Sequence, residues 1–383
     1  MPKTGPIRGN YAIFAHCFLS KPSSHSNTPF YFMRILSFSF SSVFLLVCLA
    51  ACRGQQPVSS VSHPGGKITL LSDSVAAARI ILQDHYDRFF ERVTPVEMSI
   101  QMAQPLSSVQ LADQRAQFKA FLQKDMDHFT VKESKWVAEI FKDVFETVQK
   151  FHPGVYPDTL ILIKTKGKHY GNSVYYTRDN CIIIPADVLE RPDKAAFTST
   201  MYHEIFHVYS RLHAAKRKQL YQLIGFEAIG VDQLYLPDPL RERVLYNPDG
   251  VDFGQKIHLK IGENEFIDAI PIIYANNDGY TPEKATFFSY LEFELFQVNP
   301  QKDGKWKVVT APDGLTSTLS VAKLPDFFRQ IKDNTSYIIH PDEVLADNFS
   351  FIMLDIDGKQ ASGKFSKEGK QLLKDIEAIL KAP

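Results

Sequence analysis

His203-Glu204-Ile205-Phe206-His207 is the stretch on which both the fold and the chemistry of this chain turn. It lies within Lys194 to about His213, a run whose apolar spacing predicts an amphipathic helix, with Asp193 placed to cap its start. Two histidines four residues apart share one helix face about one turn apart, so both imidazoles can reach a single metal ion. Glu204 stands close enough to that ion to act as a base on a water beside it. One zinc ion per chain is the expected cofactor, His203 and His207 are expected ligands, and Glu204 is the expected catalytic group.

A catalytic zinc commonly takes three protein ligands and leaves a fourth position open. Two glutamates compete to be the third. Glu227, in Gly225-Phe226-Glu227-Ala228-Ile229-Gly230, follows His207 at a spacing that resembles thermolysin. Glu343 lies far downstream, in His340-Pro341-Asp342-Glu343-Val344-Leu345-Ala346-Asp347-Asn348-Phe349. A zinc-bound histidine usually gives its other ring N–H to a carboxylate, which fixes its tautomer and orientation. On a helix, Asp347 shares a face with Glu343 and can serve in that way. Glu227 has Val231 at the same offset, and the flanking Gly225 and Gly230 argue against a sturdy helix. Glu343 is therefore the preferred ligand and Asp347 the group that orients one imidazole. Glu227 is expected to be a polar loop residue, or a carboxylate that supports the site or touches substrate.

His203, Glu204, His207, Glu343 and Asp347 together resemble the gluzincin clan of zinc metallopeptidases, in which the glutamate helix often reads Glu-x-x-Ala-Asp. The resemblance covers these two short motifs, and the distant second motif departs from thermolysin itself. It implies an α+β, zincin-like metallopeptidase domain: a mixed sheet, an active-site helix and a glutamate helix. It also implies a peptide or protein substrate. In zincins the edge strand of the sheet lies beside the active-site helix and pairs with extended substrate. Cys181 to Ile184 is the expected edge by that resemblance. A donor for the developing oxyanion is not evident. His340 and Tyr337 rank first because they are near Glu343, ahead of Tyr274, Tyr280 and Arg211.

Composition bounds the alternatives. Lys plus Arg and Asp plus Glu both number 43, and no basic run is interleaved with aromatics, so nothing points to nucleic acid. Met33-Arg34 opens a short basic start followed by an apolar run to Leu49-Ala50-Ala51-Cys52. This reads as an export signal too short for a stable membrane span, with Met33 the expected start and residues 1–32 an over-extension. Leu49-Ala50-Ala51-Cys52 resembles the lipobox of bacterial lipoproteins, which implies lipidation of Cys52 and a membrane anchor at the cell envelope. After signal removal only Cys52 and Cys181 remain, which leaves no intramolecular disulfide and no cysteine metal site.

The expected organisation follows the chain. Residues 1–51 are the over-extension and signal, and 52–66 a flexible tether rich in Ser, Gln, Pro and Gly. Residues 67–152 form a helical amino-terminal portion, with helices from Ser72 to about Val93, from Ser107 to about Asp127, and from Thr130, where Glu133 completes a capping box. Residues 153–383 are the catalytic domain. There Thr159 to Thr165 reads as a strand, and Ser173 to Thr177 with Cys181 to Ile184 as a hairpin. A β-rich insertion spans about 251–311, and helices return at Pro325 to Ile331, Pro341 to about Leu354, and Lys367 to Leu380. Another zinc hydrolase of the envelope, such as an amidase, would use the same residues. A zinc-binding surface lipoprotein without catalysis would have no need of Glu204.

Overall fold

Thr159–Thr165 and Cys181–Pro185 are almost unbroken in apolar and β-branched residues, the pattern of strands covered on both faces. They form the centre of the first of two sheets in the computed structural model, which describes residues 58–250, 252–284 and 286–383. The signal, Cys52 and residues 53–57 of the expected tether lie outside the described residues. The strands of the first sheet are β1 (Ser60–Ser62), β2 (Ile68–Leu71), β3 (Met126–Asp127), β4 (Thr159–Thr165), β5 (Tyr176–Arg178) and β6 (Cys181–Pro185). Their order is β1-β2-β4-β6-β5, with β3 also pairing with β4. The β2–β4 and β4–β6 pairs are parallel; the β1–β2, β3–β4 and β5–β6 pairs are antiparallel.

Three expectations are corrected here. The flexible tether does not extend to Gly66, because β1 is hydrogen-bonded in register to β2. The segment 67–152 is not a purely helical portion, because β2 joins β4 inside the main sheet. Finally, Cys181–Pro185 is not an edge: β6 lies between β4 and β5, and the edge on that side is Tyr176–Arg178. A strand as uniformly apolar as β6 belongs in a sheet interior, whereas the polar Thr177 and Arg178 of β5 are buried against Asp249 and the Phe89 ring. Cys181 is buried in β6, and desolvation pushes its thiol up to about 12.

Twelve α-helices are found among the described residues. The first four are α1 (Ser74–Ile80), α2 (Phe89–Arg92), α3 (Pro95–Gln101) and α4 (Leu111–Asp125), followed by α5 (Val131–Phe151), α6 (Ala186–Glu190), α7 (Lys194–Leu212) and α8 (Ala214–Leu223). Then come α9 (Asp238–Arg243), α10 (Pro325–Ile331), α11 (Pro341–Ile356) and α12 (Lys367–Lys381). The single helix expected over Ser72 to Val93 is broken between α1 and α2. Side chains in the break bond elsewhere: Asp84 accepts from the Phe90 N–H, His85 pairs with Asp179, and Asp87 with Arg211. Such local and tertiary partners compete with the helix ladder. The expected caps are present: Thr130 and Glu133 close a capping box on α5, and Asp193 accepts from the Ala195 and Ala196 N–H groups of α7.

The second sheet contains β7 (Phe226–Ala228), β8 (Leu234–Tyr235), β9 (Gln255–Lys260), β10 (Phe266–Ala275), β11 (Leu291–Pro300) and β12 (Trp306–Val308), in the order β7-β9-β10-β11-β12-β8. It is wider than the expected insertion because β7 and β8 are recruited from before residue 251. One face, with Ile257, Leu259, Ala269 and Leu295, shares the main core with the first sheet and with α5, α7 and α11. The alternating residues Ile270, Ile272, Phe296 and Val298 build a second cluster on the opposite face. The fold is thus mixed α/β with two mixed sheets. Among the described residues no helix is long and apolar enough to cross a membrane.

Candidate metal centre

The α7 and α11 helices pack on one another, with Phe206 and Phe349 in ring contact and Ser199 and Ser350 hydrogen-bonded across the interface. This packing brings the two sequence motifs together. His203 Nε2 and His207 Nε2 are 3.0 Å apart. Glu343 Oε2 lies 3.1 Å from the first and 3.2 Å from the second. Three ligand-type atoms therefore form a nearly equilateral triangle. Nitrogen and oxygen ligands held tetrahedrally at about 2.0–2.1 Å from zinc are separated by about 3.3 Å, so the donor set and its spacing fit one such ion.

The opposite ring nitrogens explain why these lone pairs converge. His203 Nδ1 donates to Asp347 Oδ1 at 2.9 Å, as expected. His207 Nδ1 donates to Asp342 Oδ2 at 2.7 Å. With the proton on Nδ1, each Nε2 presents its lone pair to the same point. The carboxylates are themselves held. Thr335 Oγ1 donates to Asp347, and Ser210 Oγ and Tyr221 OH donate to Asp342 Oδ1 at 2.5 and 2.9 Å.

Electrostatics follow from burial and pairing. Burial works against a charged His203, but Asp347 and Glu343 outweigh it and hold its pKa up at about 10. His207 is likewise raised: burial opposes its charge, and Glu343, Asp249 and Asp342 favour it. Burial also opposes ionisation of Glu343, yet the two imidazoles keep its carboxyl well below the usual range. The cluster stores positive charge opposite a carboxylate, a role that a bound cation takes over by displacing protons.

Glu204 is 4% exposed and lies outside the ligand triangle. Desolvation, with Asp249 nearby, pushes its carboxyl up to about 8, and its Oε2 has no hydrogen-bond partner. A buried carboxylate oxygen without a donor costs free energy, and such atoms concentrate where a ligand or substrate completes the bonding.

The remaining expected residues separate clearly. Glu227 sits exposed on β7 beside Lys256, 3.3 Å away, and is not brought to the histidines. His340 caps α11: its Nδ1 accepts from the Asp342 N–H and its Nε2 donates to the Asp252 carbonyl. Both nitrogens are committed, so the ranking of His340 as an oxyanion donor is corrected. Arg211 is spent on Asp87, Thr177 and the Asp179 and Pro248 carbonyls, and the Tyr274 hydroxyl on Glu294. Tyr280 is tied through its backbone N–H to Ser99. Tyr337 does belong to the cluster, its ring stacked near His203 with centroids 6.1 Å apart. Burial raises its phenol well above the ordinary value, reinforced by Glu343, Asp249, Asp347 and Glu204, so it keeps its proton.

Sequence reasoning missed Asp342, Asn247 and Asp249. Asp342 carried a signal usable only once α7 and α11 are known to run antiparallel: pairing His203 with Asp347 then puts the partner of His207 about one turn earlier on α11. The loop residues carried none. Asn247 Nδ2 donates to Glu343 Oε1, the oxygen turned away from the triangle. Asp249 Oδ1 accepts from the Thr177 N–H at 2.6 Å and from its hydroxyl, tying the loop to the β5 edge. Comparison of the chain with protein-family models, curated proteins and solved structures found no match.

Proposed function

We propose that this chain is a zinc metallopeptidase of gluzincin type, built on a zincin-like domain. The observation that carries the reading is the triangle of His203 Nε2, His207 Nε2 and Glu343 Oε2, with an unpartnered Glu204 oxygen buried beside it. His203, His207 and Glu343 would hold the ion, while Asp347, Asp342 and Asn247 fix the directions of their donor atoms. Bound zinc would supply Lewis acidity, polarising a carbonyl and making a water acidic enough to attack near neutral pH.

The chain's own residues do the rest. Glu204 takes a proton from the attacking water on Oε2 and passes it to the departing amine nitrogen. Tyr337 retains its phenolic proton beside four carboxylates, which suits it to donate to the oxyanion as charge develops. His207 and Glu343 are buried in the packing of α7 on α11, where the low local dielectric strengthens each of these interactions. Arg211 positions the Asn247–Gly250 loop by holding the Pro248 carbonyl and the Thr177 hydroxyl that contacts Asp249.

Glu204→Gln is the direct test. Hydrolysis of an unfolded protein substrate should fall by about 10²–10⁴-fold while zinc content stays near one per chain. Hydrolysis at the wild-type rate would remove Glu204 as the base. We further propose that lipidated Cys52 holds the protein at the bacterial cell envelope. Labelled palmitate should enter the wild-type chain and not Cys52→Ala; equal labelling would refute the anchor.

A further inference from the structure

A pocket of about 410 Å³, part of it open to solvent, adjoins the metal cluster and shares Asn247, Asp249 and Tyr337 with it. Its walls come from both sheets. Tyr170 and Tyr176 belong to the approach to the β5 edge and to β5 itself, Ile273 to β10, Leu291 to β11, and Phe287 to the turn between those two strands. The aromatic walls brace one another: Tyr170 meets Phe287 edge-on with centroids 4.9 Å apart, and Tyr176 at 5.2 Å.

Tyrosines would ordinarily make such a cavity polar, but the hydroxyls of Tyr170 and Tyr176 bond to partners behind the wall. Tyr170 OH accepts from Gln101 Nε2 at 3.0 Å, and Gln101 is in turn bonded to the buried Glu97. Tyr176 OH lies 2.8 Å from His169 Nε2, and the other ring nitrogen of His169 is paired with Asp125. With the Nδ1 proton given to Asp125, Nε2 is the acceptor and the Tyr176 hydroxyl is consumed as donor. The two phenols thus offer ring faces to the cavity. Its polar rim is also committed, Asn247 to Glu343 and Asp249 to Thr177.

We infer that this pocket receives a large apolar side chain, aromatic or branched aliphatic, from the residue beside the bond being cleaved. The inference rests on the peptidase reading and names the substrate class of that same site. Two facts carry it: the pocket is continuous with the cluster through Tyr337, and among the described residues its lining is mainly aromatic and aliphatic, with Asp249 at the rim and no basic side chain to pair with an acidic one. Burial of apolar surface favours the first kind of occupant, and an unsatisfied buried charge disfavours the second.

The test separates the pocket from the chemistry. Acetylated and amidated Ala-Ala-X-Ala-Ala peptides, with X as Phe, Ala or Asp, are titrated calorimetrically into zinc-loaded Glu204→Gln protein and offered to the wild type for hydrolysis. The Phe peptide should bind about 10–200-fold tighter than the Ala or Asp peptide, the range set by a hydrophobic subsite. Adding Leu291→Trp, which fills the pocket, should bring the Phe peptide down to the level of the Ala peptide and leave Ala binding unchanged. Equal binding of all three peptides, or a Phe preference that survives Leu291→Trp, overturns the inference. If circular dichroism shows that Leu291→Trp does not fold, Leu291→Ala replaces it. That variant should shift the preference from Phe toward naphthylalanine at X, and an unshifted profile overturns the inference. Selective binding without hydrolysis by the wild type would uphold the pocket and defeat the peptidase reading; hydrolysis without selectivity would do the reverse.

Discussion

The candidate metal site is assembled from two regions that reach it by different physics: the α7–α11 helix pair and the Asn247–Gly250 loop. The helix pair supplies all three candidate ligand atoms and both carboxylates that orient the imidazoles. Its parts sit at helical spacings, are pre-set by the caps of each helix, and are locked by apolar packing around Phe206 and Phe349. The loop contributes single polar contacts, Asn247 to Glu343 and Asp249 to Thr177, and is held by Arg211. A packed helix interface fixes positions through many shared contacts, so it suits ligands that tolerate little displacement. A loop held by a few hydrogen bonds can adjust, so it suits groups that trim a ligand's orientation or border the substrate.

The comparison breaks most visibly at the third ligand. Glu343→Ala should remove zinc from the purified protein, whereas Glu227→Ala, on the exposed β7, should keep about one zinc per chain and shift stability by less than about 0.5 kcal/mol. Elemental analysis of the two variants decides it, and zinc lost only from Glu227→Ala would reverse the assignment. The next effect in size concerns the carboxylates behind the histidines. Asp342→Asn should weaken zinc binding about 10–100-fold in a chelator competition, with Asp347→Asn in the same range. A wild-type affinity in Asp342→Asn would mean that packing alone orients His207. The smallest effect belongs to the loop. Asn247→Ala deletes one hydrogen bond to Glu343 Oε1 and should lower zinc affinity by less than about tenfold, in keeping with about 0.5–1.5 kcal/mol for one such bond. A loss as large as that of Glu343→Ala would place the loop on equal terms with the helices.

Legibility in the sequence follows the same division. Asp193 before an apolar run, Thr130 with Glu133, and the two histidines one turn apart are local patterns, and each is found where its spacing places it. Asp347 facing His203 was also readable, because Asp347 shares a helix face with Glu343. The break between α1 and α2 was not, since the partners of Asp84, His85 and Asp87 include residues far along the chain. The edge of the first sheet was misread for a related reason. Apolar content marks Cys181–Pro185 as a strand, but which neighbour lies on each side is a property of the sheet order. His340 looked like an oxyanion donor from its closeness to Glu343, yet the helix cap and the Asp252 carbonyl claim both of its nitrogens.

By itself the amino-acid sequence determined which side chains could share one ion, because helical periodicity places residues four apart on a common face regardless of the rest of the fold. It also determined where the two key helices begin, since capping is a matter of a few adjacent residues. Only the tertiary structure decided that Asp342 orients His207, that Asn247 and Asp249 border the cluster, and that an aromatic pocket opens beside it. Those juxtapositions join residues many tens of positions apart, and they exist because the two sheets and the α7–α11 pair bury their apolar faces against one another.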